Sequence, residues 1–356
     1  MTSVQISPHP DRSEHLHICA LTPLPSDSTI HTMQFKLDRF DDFHTYGASA
    51  PEWNQRYQQI SRGTMRSSMA EITVGATHLF WKTLNQQVVQ QGCLPAGKLC
   101  FAVLARTSGP ARMQGREVTD NSIFVLRGSE EFVLHRPAQM ELLAVTVDER
   151  LFVQLLEQQP DAARLQKLLR RTVFDVAPAA LAKLRAELGA MFVWGTDATE
   201  YAWPPRSDLA MEGLIQSALL GILREAGREG GRVRGMSAHV LVSECHRLTM
   251  ARADTPPTIE ELCASLRTSR RSLQDSFQKV ARTTPVDYLR CMRLNLVRRT
   301  LHRTLPHQAG IGDIATHAGF CQLSHFAADY KRLFGELPSQ TLRADALQSR
   351  PTAQRV

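Results

Sequence analysis

The spacing of apolar positions changes twice along this chain. Residues 1–30 are polar, broken by Pro8, Pro10, Pro23 and Pro25, and follow neither helical nor strand periodicity, which predicts a disordered tail. Between Met69 and Val147 come short apolar stretches at 72–74, 79–81, 99–104, 122–126, 131–134 and 141–147. They are rich in Val, Ile, Phe and Thr, and Gly92, Pro95, Gly97, Gly109, Pro110, Gly115, Gly128 and Pro137 punctuate them. Runs of this length between turn residues predict a small antiparallel β-barrel or sandwich. After Asp148 the apolar residues fall mostly three or four apart, at Leu151, Leu155, Leu165, Leu168 and Leu169, then Leu181, Leu184, Leu188 and Phe192. That period predicts helices, with one more over 207–225. Gly227, Gly230, Gly231 and Gly235, interleaved with Arg228, Arg232 and Arg234, read as a flexible basic linker.

Beyond the linker the punctuation sharpens. Thr258 followed by Glu261 is a capping box, because hydroxyl and carboxylate satisfy the free amides of a helix start. Ile259, Leu262, Cys263 and Leu266 then share one face, and Ala264 is small enough for close helix contact. Arg267 and Thr268 break the pattern, and Ser269 caps a second helix whose Leu273, Phe277 and Val280 point inward. Arg270, Arg271, Gln274, Asp275 and Gln278 are left outward, and Arg and Gln are the side chains that read guanine and adenine edges bidentately. A second copy follows. Ile311, Ile314, Ala315 and Ala318 form the first helix face, Gly319 the turn, and Phe326, Tyr330, Leu333 and Phe334 anchor another helix. Its outward positions are Leu323, Ser324, His325, Ala328 and Lys331. Between the copies Pro285 opens a long helix with Tyr288, Leu289, Met292, Leu296 and Val297 on one side and Arg290, Arg293, Arg298 and Arg299 among the rest. Two helix-turn-helix units on one rigid helix are the layout of a reader of double-stranded DNA.

Charge agrees with this placement. The 356 residues carry a formal net charge of +7, and 256–343 alone holds thirteen Lys or Arg against seven Asp or Glu. A net charge concentrated on the helix pairs favours a polyanion as partner. Several classes are disfavoured. No apolar run is long enough for a membrane helix, so no membrane partner is expected, and the first thirty residues lack a secretory core, which implies a cytoplasmic protein. The seven cysteines form no C-x-x-C pair, and the scattered histidines give no metal-ligand spacing. No G-x-S-x-G, Walker A or G-x-G-x-x-G motif stands in a supporting context, so no enzyme and no catalytic residue is expected, nor a cofactor needed for folding. Phe80, Trp81, Phe101 and Phe124 are candidates for the apolar wall of a small-molecule pocket in the β-rich part, with plain core packing as the competing reading.

These motifs carry a resemblance. S-R-R-S-L-Q-D-S-F from Ser269 to Phe277, the spacing of Tyr288, Leu289, Arg290, Arg293 and Leu294, and I-A-x-x-x-G-F-x-x-x-S-H-F from Ile314 to Phe326 resemble the AraC/XylS regulators. Tyr330, Lys331, Phe334, Gly335 and Pro338 complete the match over about 236–343. W-N-Q-R-Y-Q-Q from Trp53 to Gln59 resembles, within that family, regulators of ethanolamine-utilisation operons. The resemblance implies an α+β chain with a cupin-like sensing domain over 31–148, a helical hinge or dimerisation region over 149–231, a double helix-turn-helix over 232–343 and a tail over 344–356. It implies a transcription activator controlled by a small-molecule effector, contact with RNA polymerase, and a homodimer. Ethanolamine and a corrinoid are the effectors it suggests. DNA contacts fall to Arg270, Arg271, Gln274, Gln278, Leu323, Ser324, His325 and Lys331. Family members often carry Gly where Arg267 stands, so a mildly strained turn is expected there. The competing reading is an architectural nucleic-acid protein without effector control.

Overall fold

The computed structural model describes residues 34–196, 208–226, 236–304 and 309–342. Both tails and the Gly/Arg linker with its domain boundary lie outside those residues. The first strands are β1 (Gln34–Phe40), β2 (Arg56–Gln59), β3 (Ser67–Val74), β4 (Thr77–Leu84), β5 (Val88–Cys93) and β6 (Lys98–Arg106), with helix α1 (Phe43–Ala48) between β1 and β2. Then come β7 (Ala111–Met113), β8 (Arg116–Val118), β9 (Ser122–Arg127), β10 (Glu131–Arg136) and β11 (Met140–Asp148). They form two antiparallel sheets, one of seven strands in the order β1-β3-β4-β11-β6-β9-β12 and one of five in the order β2-β5-β10-β7-β8, with β12 (Val173–Asp175) added from the following segment. Met69, Phe80, Ala102, Phe124 and Leu142 of the larger sheet share one buried cluster with Tyr57, Val88, Met113, Phe132 and Leu134 of the smaller. The β-rich part is therefore a sandwich, as its alternation allowed.

Both faces of the larger sheet are covered. Ile72, Leu79, Phe101 and Val145 point away from the sandwich and meet Phe152 of α2 (Glu149–Glu157), Leu165 of α3 (Ala162–Leu169), Leu188 of α4 (Pro178–Thr196) and Ile215 and Leu223 of α5 (Asp208–Glu225). A strand buried on both sides cannot spare alternate positions for polar residues, hence the continuous runs in β6, β9 and β11. The same pleat corrects the aromatic-wall expectation. Phe80 lies opposite Ala144, and Trp81 opposite Leu143, so neighbours on β4 face opposite layers. Phe80 and Phe124 enter the sandwich, whereas Phe101 and Trp81 pack under the helices, Trp81 edge-on to Phe192 at 5.7 Å. The four rings do not line one pocket.

The smaller sheet also has a covered outer face. Val89 and Ile60 join Ala238, Val242 and Cys245 of α6 (Met236–Ala251) in one core with Leu262, Leu273, Phe277 and Tyr288 of the next helices. Those helices are α7 (Ile259–Ser265), α8 (Arg270–Ala281) and α9 (Pro285–Leu301). A separate core holds Leu294, Val297 and Leu301 of α9 with Ile314 and Ala315 of α10 (Ile311–His317) and Phe326, Tyr330, Leu333 and Phe334 of α11 (Leu323–Phe334). The first half of α9 thus serves one core and its second half the other, so apolar residues surround it. Among the described residues no helix is long and apolar enough to cross a membrane.

Polar groups tie sheet to helices where periodicity gave no hint. Asn295 of α9 exchanges two hydrogen bonds with the Gln59 backbone, both 2.9 Å, and Gln59 Nε2 donates to Leu333 O at 2.6 Å. His135 of β10 is buried facing His239 and Tyr288, with ring centroids 5.9 and 6.4 Å away. Burial, with His239, His246 and Arg112 as cationic neighbours, lowers the His135 ring to about 3. Burial and then Arg299 lower His246, near Tyr288, to about 4. An unfolded imidazole titrates near 6.5, so below that pH the unfolded chain takes up protons that the folded chain refuses. Stability present above about pH 6.5 should therefore fall on acidification, by about 1.4 kcal/mol per pH unit for each ring, until the folded-state values are reached. Urea unfolding at pH 7 and 5 would measure this, and His135→Phe should remove that ring's proton from the slope, leaving those of His246 and of His239, which burial also lowers. An unchanged slope in that variant would place the uptake elsewhere.

Candidate nucleic-acid interface

The two helix pairs are built by the same local chemistry. Thr258 and Glu261 complete the capping box of α7, with Glu261 N to Thr258 Oγ1 at 3.2 Å and Thr258 N to Glu261 Oε2 at 2.8 Å. After α7 the chain turns on Arg267 at φ 48, and Thr268 N donates back to Cys263 O at 3.0 Å. After α10 it turns on Gly319 at φ 75, and Phe320 N donates to Ala315 O at 3.0 Å. Both turns close on a left-handed residue, the usual way to satisfy the last carbonyls of a helix. At Gly319 a Cβ would meet Pro256 Cδ at 2.5 Å, so only glycine fits. Arg267 has no such limit and bears only the steric cost of φ above zero. Arg267→Gly is expected to raise stability by about 0.5–1 kcal/mol in urea titration; a loss would mean the arginine side chain has a role of its own.

Ser269 caps α8, accepting from Ser272 N at 3.0 Å. Leu273, Phe277 and Val280 are buried, while Arg270, Arg271, Gln274, Asp275 and Gln278 are exposed. On α11 Phe326, Tyr330, Leu333 and Phe334 are buried, and Leu323, Ser324, His325, Ala328 and Lys331 are exposed. Matching the buried rows, Leu273 with Phe326 and Phe277 with Tyr330, sets Arg271 at the place of Ser324 and Gln278 at that of Lys331. The connection into α11 is accordingly one residue longer. The first reader presents arginine and glutamine, the second mainly small and neutral side chains.

Several residues depart from their expected roles. Ala264 is exposed, so the close helix contact expected of it is not made; α7 packs through Leu262 instead. Arg270 lies 2.7 Å from Glu260 of α7, a pair in solvent that contributes little to stability but competes with any phosphate for the same guanidinium. Arg293 and Arg298 do not sit on an open basic face. Arg293 stacks over Phe320 at 4.8 Å and donates to Gly319 O at 3.0 Å, bracing the second turn from α9. Arg298 stacks over Phe334 at 4.6 Å and pairs with Asp42 and Glu336. Their partners are distant in sequence, so no local pattern could have shown that these charges are engaged.

Residues 262–344 match the family described as "Helix-turn-helix domain". This segment is similar to helix-turn-helix domains. Over 93 residues the chain is 38% identical to the Probable thc operon regulatory protein of Rhodococcus erythropolis, a match covering 26% of this chain and 28% of that one. Over 86 residues it is 41% identical to the XylDLEGF operon transcriptional activator of Pseudomonas putida, covering 24% and 27%. The chain therefore spans less than a third of the length of these two relatives. Among solved structures, the AraC-like transcriptional activator CuxR aligns with 80% of this chain and all of its own, at 12% identity and a TM-score of 0.42. The family match thus covers residues 262–344 alone.

Proposed function

We propose that this protein is a sequence-specific, DNA-binding transcription regulator, an activator whose β-sandwich domain answers a small-molecule effector. The observation that carries this reading is the pair of recognition helices α8 and α11, packed in two cores that meet at Cys291 and both offering an exposed outer face from one shared helix. Arg270, Arg271, Gln274, Gln278, Leu323, Ser324, His325 and Lys331 are the contacts we assign to DNA. Contact with RNA polymerase, a homodimer through the helices between residues 149 and 231, and a cytoplasmic location belong to the same reading. Ethanolamine and a corrinoid are the first effectors to test, and the packing of α9 on the smaller sheet supplies a route from sensing domain to reader.

The test is a salt titration of binding to the protein's own promoter region and to a scrambled duplex. The promoter should bind more tightly, by an amount that changes with effector, and affinity should fall steeply with salt. Gln274→Ala should relax preference at one base position, costing about 1–3 kcal/mol on the promoter only. Lys331→Ala should weaken both duplexes alike and lower the salt slope by about one. Equal, effector-blind binding to both duplexes would favour an architectural protein instead.

A further inference from the structure

A cleft of about 240 Å³ opens between the sandwich and the connecting helix. Arg56 and Gln58 of β2 line one side; Arg299 of α9 and Arg303 just beyond it line the other. No Asp or Glu is among the lining residues. Arg298 also reaches the cleft, but Asp42, 2.6 Å away, and Glu336 engage it, and Asp42 further accepts from His302. The other three guanidiniums form no ion pair among the described residues. Burial, and then the charges of Arg56 and Arg303, lower the Arg299 pKa. Arg56 and Arg303 are exposed and Arg299 is half-buried, so the three give the cleft a cationic mouth that attracts an anion.

The cleft holds a second sign of a missing partner. Gln58 is only 4% exposed, yet its Oε1 has no hydrogen-bond partner. Buried amide groups are almost always satisfied, so this open acceptor marks where a ligand's own hydroxyl would sit. We propose that this cleft binds a small organic anion carrying a hydroxyl group, its carboxylate or phosphate held by Arg56, Arg299 and Arg303 and its hydroxyl donating to Gln58. The site rests on the regulator reading above and gives its effector an anionic class, which the ammonium of ethanolamine does not meet. An occupant held from both sides favours the docked arrangement of sandwich and α9 over any arrangement that parts them. Because α9 belongs to both helix-turn-helix cores, that preference reaches both readers.

Calorimetric titration of the full chain with malate, glycerol 3-phosphate and inorganic phosphate tests the site. Malate or glycerol 3-phosphate should bind saturably, and inorganic phosphate, too small to reach Gln58, more weakly. Arg56→Ala and Arg299→Ala should each weaken the better probe about tenfold or more. Arg299→Lys should retain part of the binding, and it keeps the test valid if the alanine variant folds poorly. Arg252→Ala, exposed and outside the cleft, should bind as the parent does. The proposal is overturned if no probe saturates, or if Arg56→Ala and Arg299→Ala bind as the parent does. It is overturned too if those variants lose only duplex affinity, which would make the cleft a contact for DNA phosphate. Promoter preference without probe binding would sink this site and leave the regulator reading intact; probe binding without promoter preference would do the reverse.

Discussion

Asp42→Ala is expected to destabilise the docked protein by about 3 kcal/mol, although Asp42 touches neither helix-turn-helix turn nor any candidate DNA contact. Its carboxylate sits at the N-cap of α1, accepting from His44 N at 2.6 Å, and reaches across to Arg298 with two hydrogen bonds of 2.6 and 2.8 Å. The side chains are only 11% and 12% exposed. Burial alone would raise the Asp42 carboxyl, but the hydrogen bond from His302 and the charge of Arg298 win and hold it well below the usual carboxylate range. Removing it leaves a desolvated guanidinium with Glu336 alone and removes a helix cap as well. The cost falls on the contact between α1 and the second half of α9, because these two belong to different cores. Amide exchange should therefore quicken first in α1 and the second half of α9. The pair Asp42→Leu with Arg298→Met tests the electrostatic origin, since replacing both charges by apolar groups is often nearly neutral. A double variant as unstable as the two single losses summed would show that packing, not charge, carries the effect.

How much of this was legible beforehand follows from the range over which each signal acts. The capping box at Thr258, the Ser269 cap, the apolar rows of α8 and α11 and the turn at Gly319 are settled within a few residues and are legible locally, whereas the strained turn at Arg267 followed from the resemblance. The strands over 72–74, 99–104 and 141–147 were legible because burial on both faces leaves apolar runs. The strands β2 and β5 were not. Gln58, Gln59 and Gln90 are buried in them, polar residues that do not face water, and periodicity treats such positions as surface. β7, β8 and β12, of three residues each, are too short for any period to register. The charges of α9 were misread for a related reason. A helix whose halves serve different cores has no single polar face, so Arg293 and Arg298 looked outward while the tertiary fold turned each toward an aromatic ring.

Phe277→Ala is expected to cost about 3–5 kcal/mol, the range for emptying a large buried aromatic site. Its ring is fully buried, lies edge-on to Tyr288 at 5.1 Å and shares a core with Leu262, Leu273 and Met292. That core is bounded by α6, α7, α9 and, through Val89 of β5 and Ile60 just after β2, by the smaller sheet. Phe326, Tyr330 and Phe334 lie in the other core, which the cavity does not touch. The loss should therefore be local. Amides of α7 and α8 should lose protection while those of α10 and α11 keep theirs, and binding should lose the base preference assigned to Arg271 and Gln274 but keep the contacts of α11. Hydrogen exchange on the variant reads this directly. Equal loss of protection across both helix pairs would mean that α9 makes them one cooperative unit, and that the two readers cannot be destabilised separately.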